Sequence, residues 1–399
     1  MKITKVDVLQ FNDPQVKKQH PIWCRIYTDE GIYGDGEAGM AYGVGGSAAF
    51  GMVKDLAPLI LGEDPLANEV IWHKLYRNTF WGQNGGPVVF SGISAIDIAL
   101  WDIKGKYFQK PVYQLLGGKY RDSVRTYASQ LQFGWSETRG PLRTVEEYAL
   151  VAKEAVAQGY DSVKVDFIAF GTDAKSGTDF GEGIPWLETE YQTRLLTPEF
   201  ADMFVSRVAA TREAVGPNVD IIVENHSKTD AQGAVQVGQR IEPYNIYYYE
   251  EPTTPNPKLF AYIKDKVDIP LASGERIYSR WQYYPYFENS SLQVIQPDLA
   301  NTGGITEGKK IADTAYAYDV SVQPHIAGSP IIIAATLQFE AALPNFIIHE
   351  QHFPGQIGRK LAIHDYQPVN SFIKVPDLPG IGNELSDYAL AKSIKVSIE

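Results

Sequence analysis

The chain has 399 residues, of which 44% are hydrophobic and 21% are charged, and its formal net charge is −12. This length suits a barrel-sized domain with a smaller companion domain, and an acidic chain without a basic stripe argues against nucleic-acid binding. Cys24 is the only cysteine, so no internal disulfide bond can form. The N-terminal segment lacks the apolar core of a secretion signal and no apolar run is long enough to span a bilayer, so we expect a cytoplasmic protein.

The first 123 residues predict an α+β domain. Residues 3–11 alternate apolar and polar side chains like a strand, and residues 21–38 are typical of two further strands around a turn. From about residue 50 to 120 the apolar residues recur at helical spacing, most clearly in residues 91–108. The C-terminal residues, about 371–399, are expected to run back to this domain.

From residue 124 to about 370 the pattern changes to strands that alternate with helices. Eight such units favour a parallel barrel over an open sheet. The predicted fold class is therefore α/β, a (β/α)8-type barrel, with residues 1–123 as an α+β N-terminal capping domain. The predicted strands are residues 124–129, 161–166, 219–225, 245–251, 269–275, 292–298, 320–325 and 345–350.

Acidic and imidazole side chains stand at the ends of successive predicted strands, roughly 25 residues apart. They are, in chain order, Glu224, Glu250, Glu275, Asp298, His325 and Glu350. A strand, a helix and two loops take about that many residues in a (β/α)8 barrel, whose catalytic groups gather at the C-terminal ends of the strands. Closing the barrel would bring all six side chains to one mouth.

The first three of these side chains predict a metal site. Three converging carboxylates repel one another unless a cation lies between them. Ligands that offer only oxygen atoms favour a hard cation, so Glu224, Glu250 and Glu275 are predicted to bind Mg²⁺. A bound cation would also give this acidic protein the local positive charge that an anionic substrate needs.

Strand periodicity adds further side chains to the mouth. Residues two apart in a strand face the same side, so Lys164 and Asp166 are both able to point into it, as is His226, two residues after the first metal ligand. His325 has a carboxylate, Asp298, one strand earlier, which would fix its tautomer and raise its pKa. His325 is therefore the predicted base.

Three segments are predicted to shape access to the mouth. The polar segment 12–20 and the Gly-rich segment 34–46 are expected to close over it and to set specificity. Residues 167–198 are long and Gly-rich for a βα connection and are expected to form a functional loop. His20, at the end of the first segment, is a predicted substrate contact.

Several motifs resemble the enolase superfamily, in its mandelate racemase-like branch, over nearly the whole chain. They are residues 31–38 (GIYGDGEA), residues 94–118 (SAIDIALWDIKGKYFQKPVYQLLGG), residues 164–166 (KVD), residues 250–252 (EEP), residues 274–276 (GER), residues 297–307 (PDLANTGGITE) and the strand that ends at His325. Within this branch the chain looks most like acid-sugar dehydratases of the galactonate and gluconate type. These enzymes commonly place a His two residues after the first metal ligand, as His226 follows Glu224. That ligand is usually Asp in the family, and the longer Glu224 is expected to shift the ion slightly without removing a ligand.

The resemblance implies an Mg²⁺-dependent reaction that removes the proton next to a carboxylate. Lys164 would donate to the developing enediolate, and Glu350, if protonated, would hydrogen-bond the same oxygen atom. His325 would take the proton from carbon, and His226 would protonate a leaving β-hydroxyl group.

Asp166 bears on the type of reaction that the resemblance implies. Racemases of this branch carry a second Lys at this position, where it serves as a base on the face opposite the His. With Asp there, a one-base elimination is favoured over racemisation. The predicted substrate-binding residues are Lys164, Asp166, Arg276 and His20, although Arg276 is equally able to form a salt bridge with Glu275.

The predicted function is Mg²⁺-dependent dehydration of a sugar acid, an aldonate or aldarate, to a 2-keto-3-deoxy acid. Two alternatives stay open at this point. One is an epimerase, racemase or cycloisomerase that acts through the same enediolate, and the other is a catalytically silent barrel that only binds a sugar acid. The predicted partner is a small-molecule sugar acid, with no nucleic acid and no membrane, and a homo-oligomer is expected.

Overall fold

The computed structural model describes residues 1–16, 20–40, 45–171, 195–353 and 355–399. These residues form an antiparallel sheet with its helices and a separate parallel sheet. None of the helices in these ranges is long and apolar enough to cross a membrane.

The N-terminal half of the cap is a meander that gains a fourth strand from the C-terminus. Its strands are β1 (Ile3–Phe11), β2 (Ile22–Thr28) and β3 (Tyr33–Ala38), and β13 (Ser393–Ile398) pairs antiparallel with β1. The helices that follow β3 are α1 (Gly46–Leu56), α2 (Asn68–Asn78), α3 (Pro87–Phe108) and α4 (Val112–Leu115). The last strand of the chain thus lies in the sheet of the first domain.

Two glycines of β3 let the central cap helix lie directly against the sheet. A Cβ atom at Gly34 would lie 2.2 Å from the carbonyl oxygen of Ala99 in α3, and one at Gly36 would lie 1.9 Å from that of Ala95. Neither glycine has a positive φ. The interpretation of the whole segment 34–46 as a lid is therefore wrong for its first residues, because they form a strand whose glycines permit close packing.

Gly36→Ala is expected to lower the free energy of unfolding by at least ~2 kcal/mol, because backbone atoms of α3 would have to move away. Gly51→Ala, in α1, is the matched control, since nothing lies within 4 Å of its added Cβ. Ala is also favoured over Gly in a helix interior by about 1 kcal/mol. Urea unfolding of both variants measures the difference, and equal stabilities would contradict the close contact.

The second sheet is a closed parallel barrel. Its strands are β4 (Ser123–Ser129), β5 (Ser162–Asp166), β6 (Asp220–Glu224), β7 (Ile246–Glu250), β8 (Leu271–Ser273), β9 (Val294–Ile295), β10 (Ser321–Val322) and β11 (His349–His352). Consecutive strands from β4 to β10 pair in chain order, and β11 pairs with β4. Val322 closes the ring, because its N–H donates to the oxygen of Asn345 at 2.9 Å and its oxygen accepts from the N–H of Ile347 at 3.1 Å.

Helices cover the outside of this barrel. They are α5 (Val145–Ala157), α6 (Pro198–Val215), α7 (Ala231–Ile241), α8 (Pro257–Lys264), α9 (Arg280–Glu288), α10 (Gly304–Ala317) and α11 (Pro330–Ala341), followed by α12 (Gln356–Arg359), β12 (Phe372–Lys374) and α13 (Asp387–Ala391). Thr144 shows why α5 begins where it does, since it forms a capping box with Glu147. The predicted (β/α)8-type barrel with an α+β cap is confirmed.

Two strands late in the barrel are shorter than predicted. β9 and β10 end before Pro297 and Pro324, respectively. A proline has no N–H to donate to a neighbouring strand, so the hydrogen-bonded ladder stops there although the chain continues to the mouth.

An inner layer of mainly apolar side chains fills the barrel beneath the mouth. It consists of Tyr127, Ile222, Tyr248, Ala272, Val294 and Ile348. Side chains two apart in a strand share a face, so Glu224, Glu250 and Glu350 continue these inward rows one step nearer the C-terminal ends. The fold thus places the strand-end residues above a packed floor.

Candidate active site

Three glutamates converge at the C-terminal mouth of the barrel. Glu224 ends β6, Glu250 ends β7, and Glu275 follows β8 by two residues. One carboxylate oxygen from each of the three residues lies within 4.8 Å of the other two. Glu224 and Glu250 are buried, and Oε2 of Glu250 has no hydrogen-bond partner among the described residues. A buried carboxylate oxygen without a partner, beside two further carboxylates, fits a set of ligands for a hard cation.

Burial and neighbouring charges shift the pKa values of the triad carboxyl groups. Burial, opposed by Lys164 and reinforced by Glu224, raises the pKa of Glu250 to about 8. Burial alone would also raise the pKa of Glu275, but the charges of Arg276 and His325 hold it well below its usual range. The cluster is therefore a site where negative charge is crowded, and a cation would relieve that crowding.

Lys164 joins the triad to the last strand of the barrel. Its Nζ lies 2.8 Å from Oε1 of Glu250, 2.8 Å from Oε1 of Glu350 and 3.6 Å from Oε2 of Glu224. Burial would lower the pKa of Lys164, but these three carboxylates raise it well above its ordinary value. The ammonium group thus lies among three carboxylates, and two of them are within hydrogen-bond distance.

Glu350 lies in β11 at the mouth of the barrel, beside Lys164. Its carboxylate accepts hydrogen bonds from Oγ of Ser129 at 2.6 Å and from the N–H of Ile326 at 2.9 Å. Burial would raise its pKa, but Lys164 and His325 hold it below its usual range. The predicted donor role requires a protonated Glu350 and stays a prediction. In this structure Oε1 of Glu350 lies 2.8 Å from Nζ of Lys164.

His325 lies between two carboxylates. Its Nδ1 is 2.7 Å from Oδ2 of Asp298, and its Nε2 is 3.0 Å from Oε2 of Glu275. Asp298 is itself fixed by the N–H of Ala300 at 2.8 Å. Burial would lower the pKa of His325, but Glu275 and Glu350 raise it well above its usual value. Asp298 therefore orients the ring, as its position one strand earlier suggests.

His226 has a carboxylate partner of its own, which was not predicted. Its Nδ1 is 2.6 Å from Oδ2 of Asp166, and its Nε2 is 2.9 Å from Oε1 of Glu224. Burial would lower its pKa, but these two carboxylates raise it to about 10. Asp166 and Glu224 are register partners on adjacent strands, so His226, like His325, has an aspartate one strand earlier.

Asp166, a predicted substrate contact, has several partners within the protein. The oxygen atom that accepts from His226 also lies 3.0 Å from Nζ of Lys228, and Oδ1 accepts from the N–H of Ile168 at 3.0 Å. Burial would raise its pKa, but Lys228 and His226 hold it below its usual range. Both oxygen atoms of Asp166 are thus occupied within the protein, and the residue positions His226.

Gln130 and Lys228 belong to the site although no motif marked them. Nε2 of Gln130 donates to Oε2 of Glu224 at 2.7 Å, and its Oε1 accepts from Gln132. Gln130 directly follows β4 and adopts a left-handed conformation with a φ of 63°. Their positions in the sequence are consistent with a place at the mouth, since Gln130 follows a predicted strand and Lys228 follows His226 by two residues.

Two predicted substrate contacts have partners within the protein. Arg276 forms an ion pair with Glu251 and lies 3.0 Å from Oε1 of Glu275, which is the salt-bridge alternative. Nδ1 of His20 is 3.0 Å from the carbonyl oxygen of Phe11. The predicted access segments 12–20, 34–46 and 167–198 are described only in part, because residues 17–19, 41–44 and 172–194 lie outside the described residues.

A cavity of about 280 Å³ opens beside this group. Gln130 and Glu350 line it and also contact the triad or Lys164. Aromatic side chains, among them Trp135, Phe353 and Tyr366, line it as well. The cavity gives a bound molecule room beyond the carboxylates and imidazoles.

Comparisons with known proteins agree with this architecture. The N-terminal domain model of the mandelate racemase/muconate lactonizing enzymes matches residues 5–117, and the enolase C-terminal domain-like model matches residues 147–389. The D-galactonate dehydratase of Ralstonia nicotianae is 33% identical over 380 residues, which cover 92% of this chain and 90% of that protein.

Solved structures are similar over the full length. A proposed dehydratase from Zymomonas mobilis ZM4 is 52% identical with a TM-score of 0.93, covering 100% of this chain and 99% of that chain. A member of the enolase superfamily from Salmonella Typhimurium is 47% identical with a TM-score of 0.93, covering 100% of both chains.

The capped barrel and the carboxylates at its mouth define an enzyme of the enolase type. The chain belongs to the mandelate racemase/muconate lactonizing enzyme family of the enolase superfamily, so the resemblance carried by the motifs is confirmed. Among enzyme classes it is a hydro-lyase. The alternative of a catalytically silent barrel is therefore set aside.

Proposed function

We propose that the chain dehydrates a sugar acid, an aldonate or aldarate, to a 2-keto-3-deoxy acid with the help of Mg²⁺. The observation that carries this proposal is a pair of imidazoles, each held by its own aspartate and each in contact with a different glutamate of the triad. Asp166 holds His226 beside Glu224, and Asp298 holds His325 beside Glu275. The curated relatives named D-galactonate dehydratases support an acid-sugar substrate.

Glu224, Glu250 and Glu275 would hold the Mg²⁺ ion. The ligand atoms are all oxygen, they lie within 4.8 Å of one another, and Oε2 of Glu250 lacks a partner within the described part of the chain. When bound, the ion supplies a Lewis acid for the substrate carboxylate and offsets the charge that raises the pKa of His325.

The side chains divide the elimination between them. Lys164 donates to the substrate carboxylate and stabilises the negative charge that develops there. His325 takes the proton from C2, and the electron pair of that C–H bond moves toward the substrate carboxylate to give an enediolate. These electrons then return to form the C2–C3 double bond as the C3–O bond breaks. His226 gives its proton to the departing hydroxyl, which leaves as water. The resulting enol takes a solvent proton at C3 and becomes the 2-keto acid.

Epimerisation at C2 through the same enediolate is a second candidate, and the Asp166–His226 pair is the observation that favours it. A second oriented imidazole is able to return a proton to C2 as well as to protonate a hydroxyl. The two functions differ in their products, because epimerisation releases no water and leaves no keto group.

A panel of five- and six-carbon aldonates and aldarates, incubated with the enzyme and Mg²⁺ and assayed for 2-keto acid, tests the proposal. At least one member is expected to give stoichiometric 2-keto acid, and His325→Asn, the control protein, is expected to give none. Failure of the wild-type enzyme on every member would overturn the proposal. Conversion to a C2 epimer without 2-keto acid would establish the second candidate instead.

A further inference from the structure

A third imidazole lies at the mouth of the barrel and takes no part in the reaction described above. His352 ends β11 and shares its inward face with Glu350, two residues earlier. Its Nε2 lies 3.5 Å from Oε1 of Glu350 without forming a hydrogen bond. That nitrogen is buried, whereas 31% of the side chain is exposed. The ring therefore has a nitrogen that no described residue hydrogen-bonds, beside Glu350.

The surroundings of His352 favour the neutral form of its imidazole. Burial lowers the pKa of His352 below its ordinary value, and the charge of Glu350 only partly opposes this shift. A neutral imidazole has one donor and one acceptor nitrogen and is suited to a hydroxyl group, which offers both functions. A buried nitrogen left without a partner costs free energy, which a ligand hydroxyl would recover.

The cavity beside the triad shows which part of a substrate would meet this ring. His352 lines the cavity together with Gln130, Glu350 and aromatic side chains, whereas His226, His325 and the triad do not line it. The reacting carbons belong near the two paired imidazoles. The remainder of a longer substrate is the part that extends into the cavity.

Aromatic rings give the cavity a second feature that suits a sugar chain. Trp135 and Phe353 meet edge to face with ring centroids 5.6 Å apart, and both line the cavity. Apolar ring surfaces suit the C–H groups of a polyol, and an unpaired ring nitrogen beside them suits one of its hydroxyls.

We propose that His352 is a specificity-determining residue that hydrogen-bonds a hydroxyl group of the sugar acid beyond C3. The inference rests on the proposed dehydration, because it uses that reaction to place the reacting carbons. It goes further in assigning recognition of the distal hydroxyls to a residue outside the triad and the two histidine–aspartate pairs.

The test combines a variant series with a substrate series. His352→Phe keeps a ring but no nitrogen, and His352→Gln keeps a polar group. His73→Asn, on the exposed surface of α2, is the matched control. Each protein is assayed for kcat and KM with the best sugar acid of the panel and with its 4-deoxy, 5-deoxy and 6-deoxy analogues.

The effect of removing the His352 ring nitrogens is expected to depend on the presence of one distal hydroxyl group of the substrate. For the parent acid, His352→Phe should lower kcat/KM about 10- to 100-fold, mainly through KM, and His352→Gln should restore part of the loss. For one deoxy analogue the wild type should already show that loss, and His352→Phe should add nothing to it. His73→Asn should match the wild type throughout.

Other outcomes overturn the inference in distinguishable ways. Wild-type activity that is indifferent to every deoxy analogue would overturn it even if His352→Phe failed to fold. An equal loss by His352→Phe on the parent and on all analogues would assign the residue to the reacting end or to structure. A wild type that forms no 2-keto acid from any acid would remove the proposed function itself, and this inference with it.

Discussion

His325→Asn is expected to abolish both dehydration and exchange of the C2 proton with solvent deuterium. Nδ1 of His325 is held 2.7 Å from Asp298 and its Nε2 faces the triad, so the variant removes the only group assigned to take that proton. Without proton removal no enediolate forms, and the loss in kcat should be at least ~10²-fold. Assays of 2-keto acid and NMR of recovered substrate in D₂O measure the two steps separately.

His226→Asn separates the second step from the first. It should lose dehydration by a similar factor, because no imidazole remains beside Glu224 to protonate the leaving hydroxyl. C2 exchange should persist wherever the proton on His325 exchanges with solvent before it returns to carbon. His73→Asn serves as the control for both variants. Normal dehydration by His226→Asn would remove His226 from the mechanism.

Removal of divalent metal with EDTA is expected to abolish turnover, and added Mg²⁺ is expected to restore it. The reason is the triad of Glu224, Glu250 and Glu275, whose oxygen atoms lie within 4.8 Å of one another. A Lewis acid stabilises the transition state by several kcal/mol, so the loss should be about 10³-fold or more. Mg²⁺ should also raise the Tm of the wild-type protein.

Glu250→Gln tests which residues are responsible for the metal effect. The variant should bind Mg²⁺ more weakly and show little Mg²⁺-dependent rise in Tm. Without metal it should be at least as stable as the wild type, because one member of a repelling cluster is gone. Glu288→Gln, at an exposed position in α9, is the control. Full activity without metal, or an unchanged Mg²⁺ response in Glu250→Gln, would contradict the assignment.

The fold could be predicted because the βα unit has a characteristic length. Apolar strand ends followed by helical spacing repeat through the second part of the chain, and each observed strand from β4 to β11 overlaps a predicted strand. The pattern could not predict how many residues of each strand form hydrogen bonds with the neighbouring strands. That depends on neighbouring backbones, as at Gly274, where an added Cβ would lie 2.4 Å from backbone atoms of Gln296.

The site residues at strand ends could be predicted from the sequence, whereas the contacts between their side chains were harder to predict. The spacing brought Glu224, Glu250 and Glu275 together, and the order of strands paired Asp298 with His325. The order of strands also pairs Asp166 with His226, because Asp166 ends the strand next to that of Glu224.

Contacts made beyond the strand ends depend on the backbone conformation of the loops, which the sequence pattern does not predict. Gln130 reaches Glu224 only because the chain turns through a left-handed conformation at a residue that is not glycine. The contact between Lys164 and Glu350 joins residues far apart in the chain, so no local sequence pattern indicates it. The domain boundary at residue 123, the homo-oligomer and the cytoplasmic location stay predictions.

The most direct measurement of the central claim is NMR of the wild-type reaction in D₂O with Mg²⁺ and an accepted sugar acid. The account predicts a 2-keto-3-deoxy acid that carries one deuterium at C3, because the enol released after loss of water takes its proton from solvent. Recovered acid with deuterium at an inverted C2 and no keto product would contradict dehydration, and would show that the two imidazoles exchange protons with a single carbon.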